Sequence, residues 1–189
     1  MDERWENLER QIGELLRGNV AVAARADGAR VVTADSSSAG GAIRLVLSEL
    51  RREVPYDSCS VQELRGDRLV IVGGVGFADL DVLLGESFDV GNSDIPNSEV
   101  IYRKRPVIVA DTEQYRAFRR GLHVGEGIRS WLGVPLMHGD HLLGMLALDK
   151  AEAGSYTADD AQSAMAFASL VARALWAAAE GTQQDAAGC

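Results

Sequence analysis

The hydrophobic pattern is strongest between residues 128 and 150, where two short apolar runs flank a Gly-Asp pair. The runs span residues 131–137 and 142–148, and the pair between them is Gly139-Asp140. Glycine readily adopts the positive φ that a two-residue hairpin turn requires, so this stretch predicts a β-hairpin. Both runs are apolar on both faces, which is typical of strands inside a sheet. The hairpin therefore marks the centre of the core.

Two amphipathic helices are predicted in the N-terminal part of the chain. The first spans residues 2–17, and its narrow stripe favours pairing with another helix, from the same chain or a second copy. Its apolar positions are Trp5, Leu8, Ile12 and Leu15. The second spans residues 39–54, with serines before it that can cap its N-terminus and Pro55 at its end. The candidate N-caps are Ser36, Ser37 and Ser38, and the apolar face is Ile43, Val46, Leu47 and Leu50.

The middle of the chain predicts a second hairpin, with strands at residues 56–64 and 69–75. They are joined by Arg65-Gly66-Asp67-Arg68, and we interpret this Arg-Gly-Asp tripeptide as a turn rather than an adhesion motif. Residues 76–105 predict short helical turns and loops. The further elements predicted are a helix at 97–104, a strand at 107–110 after Pro106, and a helix at about 113–120.

A long helix is predicted for residues 158 to about 180. Thr157 and Asp160 have the spacing of a capping box at its start. Its stripe consists of Ala161, Ala164, Ala168, Val171, Leu175 and Ala178. Small residues allow another helix to approach closely, so this helix and the N-terminal one are expected to form a dimer bundle. Residues after Gly181 are expected to be disordered.

Composition limits the classes of function. The 189 residues suit one domain, and a formal net charge of -9 disfavours nucleic acid and anionic membrane surfaces as partners. No apolar run is long enough to cross a bilayer, and the N-terminus is acidic where a secretory signal would be basic and then apolar. We therefore expect a cytoplasmic protein in which both cysteines, Cys59 and Cys189, are reduced.

Four sequence blocks carry a resemblance to a known family. They are VPYDSCSVQELRGDRLVIVGGVGF, PVIVADT, IRSWLGVPL followed by GDHLLGMLALDK, and YTADDAQSAMAFASLVARAL. Together they resemble a GAF domain over residues 39–180, a small-molecule-sensing and dimerising module common in bacterial signalling proteins. The resemblance implies an α+β fold with a GAF/PAS-like central antiparallel β-sheet of five or six strands, flanked by helices, with the N- and C-terminal helices packed together on one face.

The resemblance also divides the chain into an N-terminal helix and linker (1–38), the GAF domain (39–180) and a tail (181–189). In the linker, residues 20–25 either continue the first helix or pair with residues 30–34 in a hairpin around Asp27-Gly28. We expect a helix followed by a loop, because members of the family usually have a helix there.

In GAF domains the ligand lies between one sheet face and the segment that corresponds here to residues 77–129. The candidate ligand-binding residues are Phe77, Phe88, Tyr102, Asp111, Tyr115, Phe118, Arg119, His123, Arg129 and Trp131. Residues 103–129 hold seven basic and three acidic side chains, a local balance of +4. This cationic segment favours an anionic ligand or an acidic partner, or else it is a solvated helix face. The aromatic side chains line a cleft or belong to the core.

Other candidate chemistry is sparse. His138 and His141 flank Asp140 at the tip of the central hairpin, where two imidazoles either share a metal or are exposed turn residues; we expect the latter and no metal site. Cys59 alternates with Val61 on a predicted strand, so we expect it to point inward as a small hydrophobe. No phosphate-binding loop, paired-cysteine motif, nucleophile elbow or HExxH helix is present, so no catalytic residue is assigned.

Subtypes of the family can be compared in the same way. Bilin-binding GAF domains attach their chromophore through a cysteine before the strand that begins here near Ile128, and this chain has none there, so covalent bilin is not expected. The signature of cyclic-nucleotide-binding relatives is absent. Free methionine sulfoxide reductases of this fold use clustered cysteines, which Cys59 alone does not supply.

The sequence therefore favours a non-enzymatic sensory module without a fixed cofactor. It would bind an unknown small ligand, anionic or amphipathic, and form a homodimer through its terminal helices, with a separate effector such as a histidine kinase as a further partner. The alternatives are a ligand-free dimerisation or adaptor domain, with the pocket closed by side chains, and a redox enzyme of the free methionine sulfoxide reductase type.

Overall fold

The computed structural model describes residues 3–17, 32–33, 38–91, 94–118 and 127–187. Its helices in these ranges are α1 (Glu3–Leu16), α2 (Ser38–Glu53), α3 (Leu80–Leu83), α4 (Pro96–Arg103) and α5 (Ala158–Ala187). Its strands there are β1 (Val32–Thr33), β2 (Ser58–Arg65), β3 (Arg68–Val75), β4 (Ser87–Asp89), β5 (Val107–Val109), β6 (Ser130–His138) and β7 (His141–Lys150). None of the described helices is long and apolar enough to cross a membrane.

The strands of the described residues form one sheet in the order β1-β3-β2-β7-β6-β5, with β4 also paired to β3. Every pairing is antiparallel. The β6–β7 hairpin lies inside the sheet, as its apolar pattern predicted, and its turn is the Gly139-Asp140 pair with Gly139 at φ +55°. The Arg-Gly-Asp segment closes the β2–β3 hairpin with Arg65 opposite Arg68, which confirms the turn interpretation.

Two short strands lie where the sequence analysis favoured a loop or turns. Residues 32–33, expected in a loop, form β1 opposite Gly73 and Gly74 of β3, and residues 87–89, expected among turns, form β4 opposite residues 68–70. Both use the outer edge of β3, whose backbone groups would otherwise lack partners in the sheet. The alternatives for residues 20–25 fall outside the described residues.

One face of the sheet is covered by α1, α2 and α5, which confirms the predicted α+β architecture with the terminal helices packed together. The α1 stripe is buried within the chain, with Leu8 6%, Ile12 0% and Leu15 4% exposed. Trp5 of α1 contacts Phe167 of α5 edge to face at 5.1 Å between ring centroids. The α2 face is equally buried, with Ile43, Val46, Leu47 and Leu50 at most 4% exposed. The stripes thus form the core of this chain.

Two helix predictions are wrong. Residues 112–118 form tight turns instead of the start of a helix over 113–120, because the Asp111 carboxylate accepts the Glu113 N–H (3.1 Å) and the turns close by bonds such as Phe118 N–H to the Tyr115 carbonyl (3.0 Å). Helix α5 continues to Ala187, so residues 181–187 are helical rather than disordered. One glycine costs only about 1 kcal/mol in a helix, and no proline follows it.

The predicted capping box at the start of α5 is confirmed. The Asp160 N–H donates to Thr157 Oγ1 (3.2 Å), and the Thr157 N–H donates to Asp160 Oδ2 (2.8 Å). Thr157→Ala removes the hydroxyl acceptor, so we expect the free energy of unfolding to fall by about 1 kcal/mol. Urea denaturation measures this loss, and Thr157→Ser, which keeps the hydroxyl, should lose less than half as much. An equal loss in both variants would contradict the cap.

Candidate functional site

A small cavity lies on the sheet face opposite the terminal helices. Strand alternation divides β2 and β7 between the two faces, so that Cys59 and Leu148 enter the helix-side core while Ser60 and Asp149 face the cavity. The cavity has a volume of about 30 Å³, enough for about one or two water molecules. Its lining residues in the described chain are Ser60, Gln62, Ile71, Phe77, Phe88, Asn97, Phe118, Ile128, Trp131, Ala147 and Asp149.

Three of the lining residues form a buried chain of hydrogen bonds. Asn97 Nδ2 of α4 donates to Gln62 Oε1 (3.1 Å), and Gln62 Nε2 donates to Ser60 Oγ (2.9 Å) along β2. Ser60 is 4% exposed, Gln62 3% and Asn97 9%. Burial of neutral polar groups is tolerated when they pair with one another, so this chain gives the apolar cavity a fixed polar side.

Asp149 is the carboxylate among the described lining residues, and it is 5% exposed near the end of β7. Ser58 Oγ donates a 2.7 Å hydrogen bond to its Oδ2. Burial raises the pKa of the Asp149 carboxyl to about 7; the Ser58 hydrogen bond opposes this shift, and the nearby charge of Asp57 adds to it. A carboxyl pKa raised this far toward neutral pH is a perturbation frequent at functional sites.

Aromatic rings form the apolar walls of the cavity. Phe118 meets Trp131 edge to face, with 6.4 Å between ring centroids. The Trp131 indole lies against Gly133, where an added Cβ would stand 2.3 Å from Trp131 Cη2. Phe77 and Phe88 close another part of the wall. Four of the candidate ligand-binding residues therefore surround this cavity, which they share with the polar chain.

The remaining candidates take other places. Arg129 and Asp111 are joined by two hydrogen bonds of 3.1 and 3.2 Å, and Glu113 lies 3.4 Å from the same guanidinium. The bonds to Arg129 lower the pKa of the Asp111 carboxyl. Tyr102 is 65% exposed on α4, and Tyr115 packs against the apolar cluster around Trp131. Arg119 and His123 lie outside the described residues.

The two imidazoles at the hairpin tip contact α5. His138 stacks on Trp176 with 4.8 Å between ring centroids and an interplanar angle of 18°, and His141 lies 5.1 Å from the same indole at 33°. In the part of the chain that the structure describes, no three His, Cys, Asp or Glu side chains come close enough to hold a metal ion. The tip is thus tied to the terminal helix by aromatic contacts.

Cys59 lies on the helix side of the sheet, away from the cavity. It is 0% exposed and belongs to the apolar core, as the strand alternation predicted. Burial raises the pKa of the Cys59 thiol well above its ordinary value, and the charge of Asp149 adds to that shift. A buried neutral thiol is a poor nucleophile.

The polar residues of the cavity were not among the candidates from the sequence. Ser60 and Gln62 alternate with Cys59 and Val61, and this alternation, used to place Cys59 in the core, also implied polar side chains on the opposite face. Asp149 ends the apolar run of β7 in the same alternation. For Asn97, at the start of α4, we find no local signal, because its role depends on how α4 packs over the sheet.

Comparisons with known sequences and structures show which proteins this chain resembles. A sequence profile of the GAF domain matches residues 36–175. Searches of curated protein sequences give no match. Among solved structures, the chain is similar to the GAF domain of a phosphoenolpyruvate-protein phosphotransferase from Coxiella burnetii, with 20% identity and a TM-score of 0.69 over 94% of this chain and 96% of that one.

Two further solved structures have the same fold. The chain is similar to a type II free methionine-R-sulfoxide reductase from Thermoplasma acidophilum, with 18% identity and a TM-score of 0.61 over 72% of this chain and 91% of that one. It is also similar to the GAF-B domain of DevS from Mycobacterium smegmatis, with 20% identity and a TM-score of 0.60 over 77% of this chain and 98% of that one. At sequence identities this low, the similarity shows a shared fold alone.

Proposed function

Because the chain belongs to the GAF domain family, whose members are typically sensory or regulatory, we propose that it is a non-enzymatic sensor that binds a small molecule in the cavity lined by Gln62, Asn97 and Asp149. The observation that supports this proposal is that buried polar side chains and aromatic side chains line the same cavity. Ligand sites commonly combine apolar walls with a few fixed polar groups in this way.

In this proposal the structure represents the closed state of the sensor, because the cavity is too small for most ligands. About 30 Å³ does not hold an aromatic ring, since a cavity that binds benzene measures roughly 150 Å³. Binding must therefore move part of the wall outward, and the half-buried side chain of Phe118 belongs to that wall. A ligand that favours the open state shifts the population of the domain.

The central hairpin offers a path from the cavity to the terminal helix. Trp131 and Asp149 contact the cavity at one end of the β6–β7 pair, and His138 and His141 contact Trp176 at the other, roughly 25 Å away along the strands. Helices α1 and α5 are joined in turn, since Arg173 donates to the Glu9 carbonyl (3.3 Å). In this proposal, output passes through α1 and α5 to a second copy or to an effector such as a histidine kinase.

The absence of enzymatic activity is part of the same proposal. A thiol-based reductase needs a thiolate that its substrate can reach, whereas Cys59 is buried on the other face of the sheet from the cavity. Among the described lining residues, no hydroxyl or thiol lies beside a histidine that would act as its base.

One observation favours a second candidate function, a ligand-free dimerisation domain. The cavity that Phe77, Phe88, Phe118 and Trp131 line measures only about 30 Å³. In that case the polar chain of Ser60, Gln62 and Asn97 would serve to position α4 on the sheet.

A cavity-filling variant separates the two candidates. Ala147 is 3% exposed at the middle of β7 and lines the cavity, so Ala147→Val adds two methyl groups there while keeping a residue that suits a strand. We expect a library of small polar and aromatic compounds to contain some that raise the melting temperature of the wild-type chain, and these should not stabilise Ala147→Val. At 100 times its Kd a ligand adds about 2.7 kcal/mol to the free energy of unfolding.

Ala151→Val is the matched control, because Ala151 follows β7 and is exposed. It should respond to every compound as the wild-type chain does. If no compound stabilises the wild-type chain, or if Ala147→Val responds equally, the ligand-free candidate replaces the sensor.

A further inference from the structure

We infer that the cavity recognises a cationic head group, a primary ammonium or a group of similar size, which pairs with the Asp149 carboxylate. This inference rests on the proposed function and adds the chemical class of the ligand. It replaces the anionic ligand that the +4 balance of residues 103–129 suggested.

The charges around the cavity support a cation. The described lining contains the carboxylate of Asp149 and no Lys, Arg or His. Arg129, which follows the lining residue Ile128 in the chain, is already paired with Asp111 and Glu113. An anionic head group in the cavity would therefore meet a carboxylate at low dielectric, with no compensating positive charge among the described lining residues, which is costly.

The hydrogen bonds leave room for a donor on the ligand. In the described chain, the Asp149 carboxylate receives one side-chain hydrogen bond, from Ser58, whereas an ionised carboxylate accepts up to about four. An ammonium group carries three N–H donors. One can reach Asp149, and the others can reach acceptors on the polar side of the cavity, where Ser60 and Asn97 each carry an oxygen.

The aromatic walls suit the same head group. Trp131 and Phe118 stand at the cavity together with Asp149, and Trp131 lies opposite Asp149 in the β6–β7 register. The faces of aromatic rings attract cations, with tryptophan the strongest. A carboxylate beside an indole therefore forms a site that discriminates an ammonium group from the matching alcohol or carboxylate.

The pH dependence of binding follows from the Asp149 carboxyl. Its titratable neighbours are Asp57, Cys59 and Tyr156; burial raises the pKa of both the Cys59 thiol and the Tyr156 hydroxyl, so these two stay neutral at pH 6–8. With the pKa of Asp149 raised to about 7, the ionised fraction grows about tenfold from pH 6 to pH 8, and the affinity for a cation should rise by about the same factor. An alkylammonium stays protonated throughout this range.

Three matched probes test the inference: benzylammonium, benzyl alcohol and benzoate, which share a ring and differ in the head group. Each is titrated into the ¹⁵N-labelled full chain at pH 6 and pH 8, and binding is followed by the amide shifts of Ser60, Ala147 and Asp149. We expect benzylammonium to bind tightest, about tenfold more tightly at pH 8 than at pH 6. In Asp149→Asn, its affinity should fall at least tenfold at pH 8 and lose its pH dependence.

Asp140→Asn is the charge-matched control, because Asp140 is exposed at the far end of the same hairpin. It should bind benzylammonium as the wild-type chain does. Tighter binding of benzoate or benzyl alcohol, or unchanged binding of benzylammonium to Asp149→Asn, would overturn the inference. A compound from the library screen that fills the cavity without carrying a cation would overturn it and leave the proposed function standing, while failure of every compound would overturn both.

Discussion

Asp149→Asn is expected to make the protein more stable above pH 7 by roughly 4 kcal/mol. In the unfolded chain this carboxyl ionises near its ordinary pKa of 3.8, and in the folded chain burial raises the pKa to about 7. Between these values the unfolded state has released the proton that the folded state keeps. The contribution of this carboxyl to the free energy of unfolding of the wild-type chain is therefore fully present below about pH 4. It is lost as the pH rises through 7.

The asparagine side chain has nearly the same shape and can accept the Ser58 hydrogen bond, but it never becomes charged. The difference in the free energy of unfolding between Asp149→Asn and the wild-type chain should thus grow from near zero at pH 4 to its full value at pH 8. For a chain of this size the full value corresponds to a rise in melting temperature on the order of 10 °C. Urea titrations at several pH values, with Asp140→Asn as the exposed control, measure it. A constant difference across this range would contradict the buried carboxyl.

Gly144→Ala is expected to cost about 4 kcal/mol or more, which is among the largest effects of a single substitution. Gly144 stands at φ +152°, opposite Glu63 of β2, and an added Cβ would lie 2.0 Å from the Gln62 carbonyl oxygen. Backbone cannot yield as a flexible side chain can, so β2 and β7 would have to separate. That separation would also displace Gln62 and the polar chain built on it.

Gly139→Ala is the control for the backbone conformation alone. Gly139 also has a positive φ, +55°, but no atom lies within 4 Å of the position of an added Cβ. We expect it to lose about 1–2 kcal/mol, the cost of a left-handed conformation for an ordinary residue. Urea denaturation of both variants compares the losses. Equal losses would contradict this account, because they would mean that the close approach of β2 to Gly144 adds nothing to the cost of the substitution.

The parts of the fold that follow from local chemistry were predictable. The central hairpin depends on two apolar runs and a Gly-Asp turn, and the start of α5 depends on Thr157 and Asp160, so neighbouring residues carry the whole signal. Strand β4 and the pairing of β1 with β3 escaped prediction because they exist where the outer edge of β3 is free to pair. That edge is a property of the assembled sheet, which no local pattern contains.

The candidate site shows the same division. Phe77, Phe88, Phe118 and Trp131 were identified as candidates for a cleft, and they do line the cavity. The charged candidates Asp111 and Arg129 pair with each other, because a carboxylate and a guanidinium close in space satisfy their hydrogen bonds at the surface. A local count of charges cannot distinguish such a pair from a binding site. In the sequence, Asp149 is a single acidic residue after an apolar run. Its burial in the folded chain is what identifies it as a candidate site residue.

Native mass spectrometry tests the central claim, that the cavity at Gln62, Asn97 and Asp149 binds a small molecule, most directly. Wild-type chain and Ala147→Val are isolated without denaturation from the cells that express them, and their masses are measured intact. The wild-type chain should carry an added small mass that denaturation releases and that Ala147→Val lacks. A wild-type mass equal to that of the polypeptide alone, or an added mass that Ala147→Val retains in full, would contradict the account.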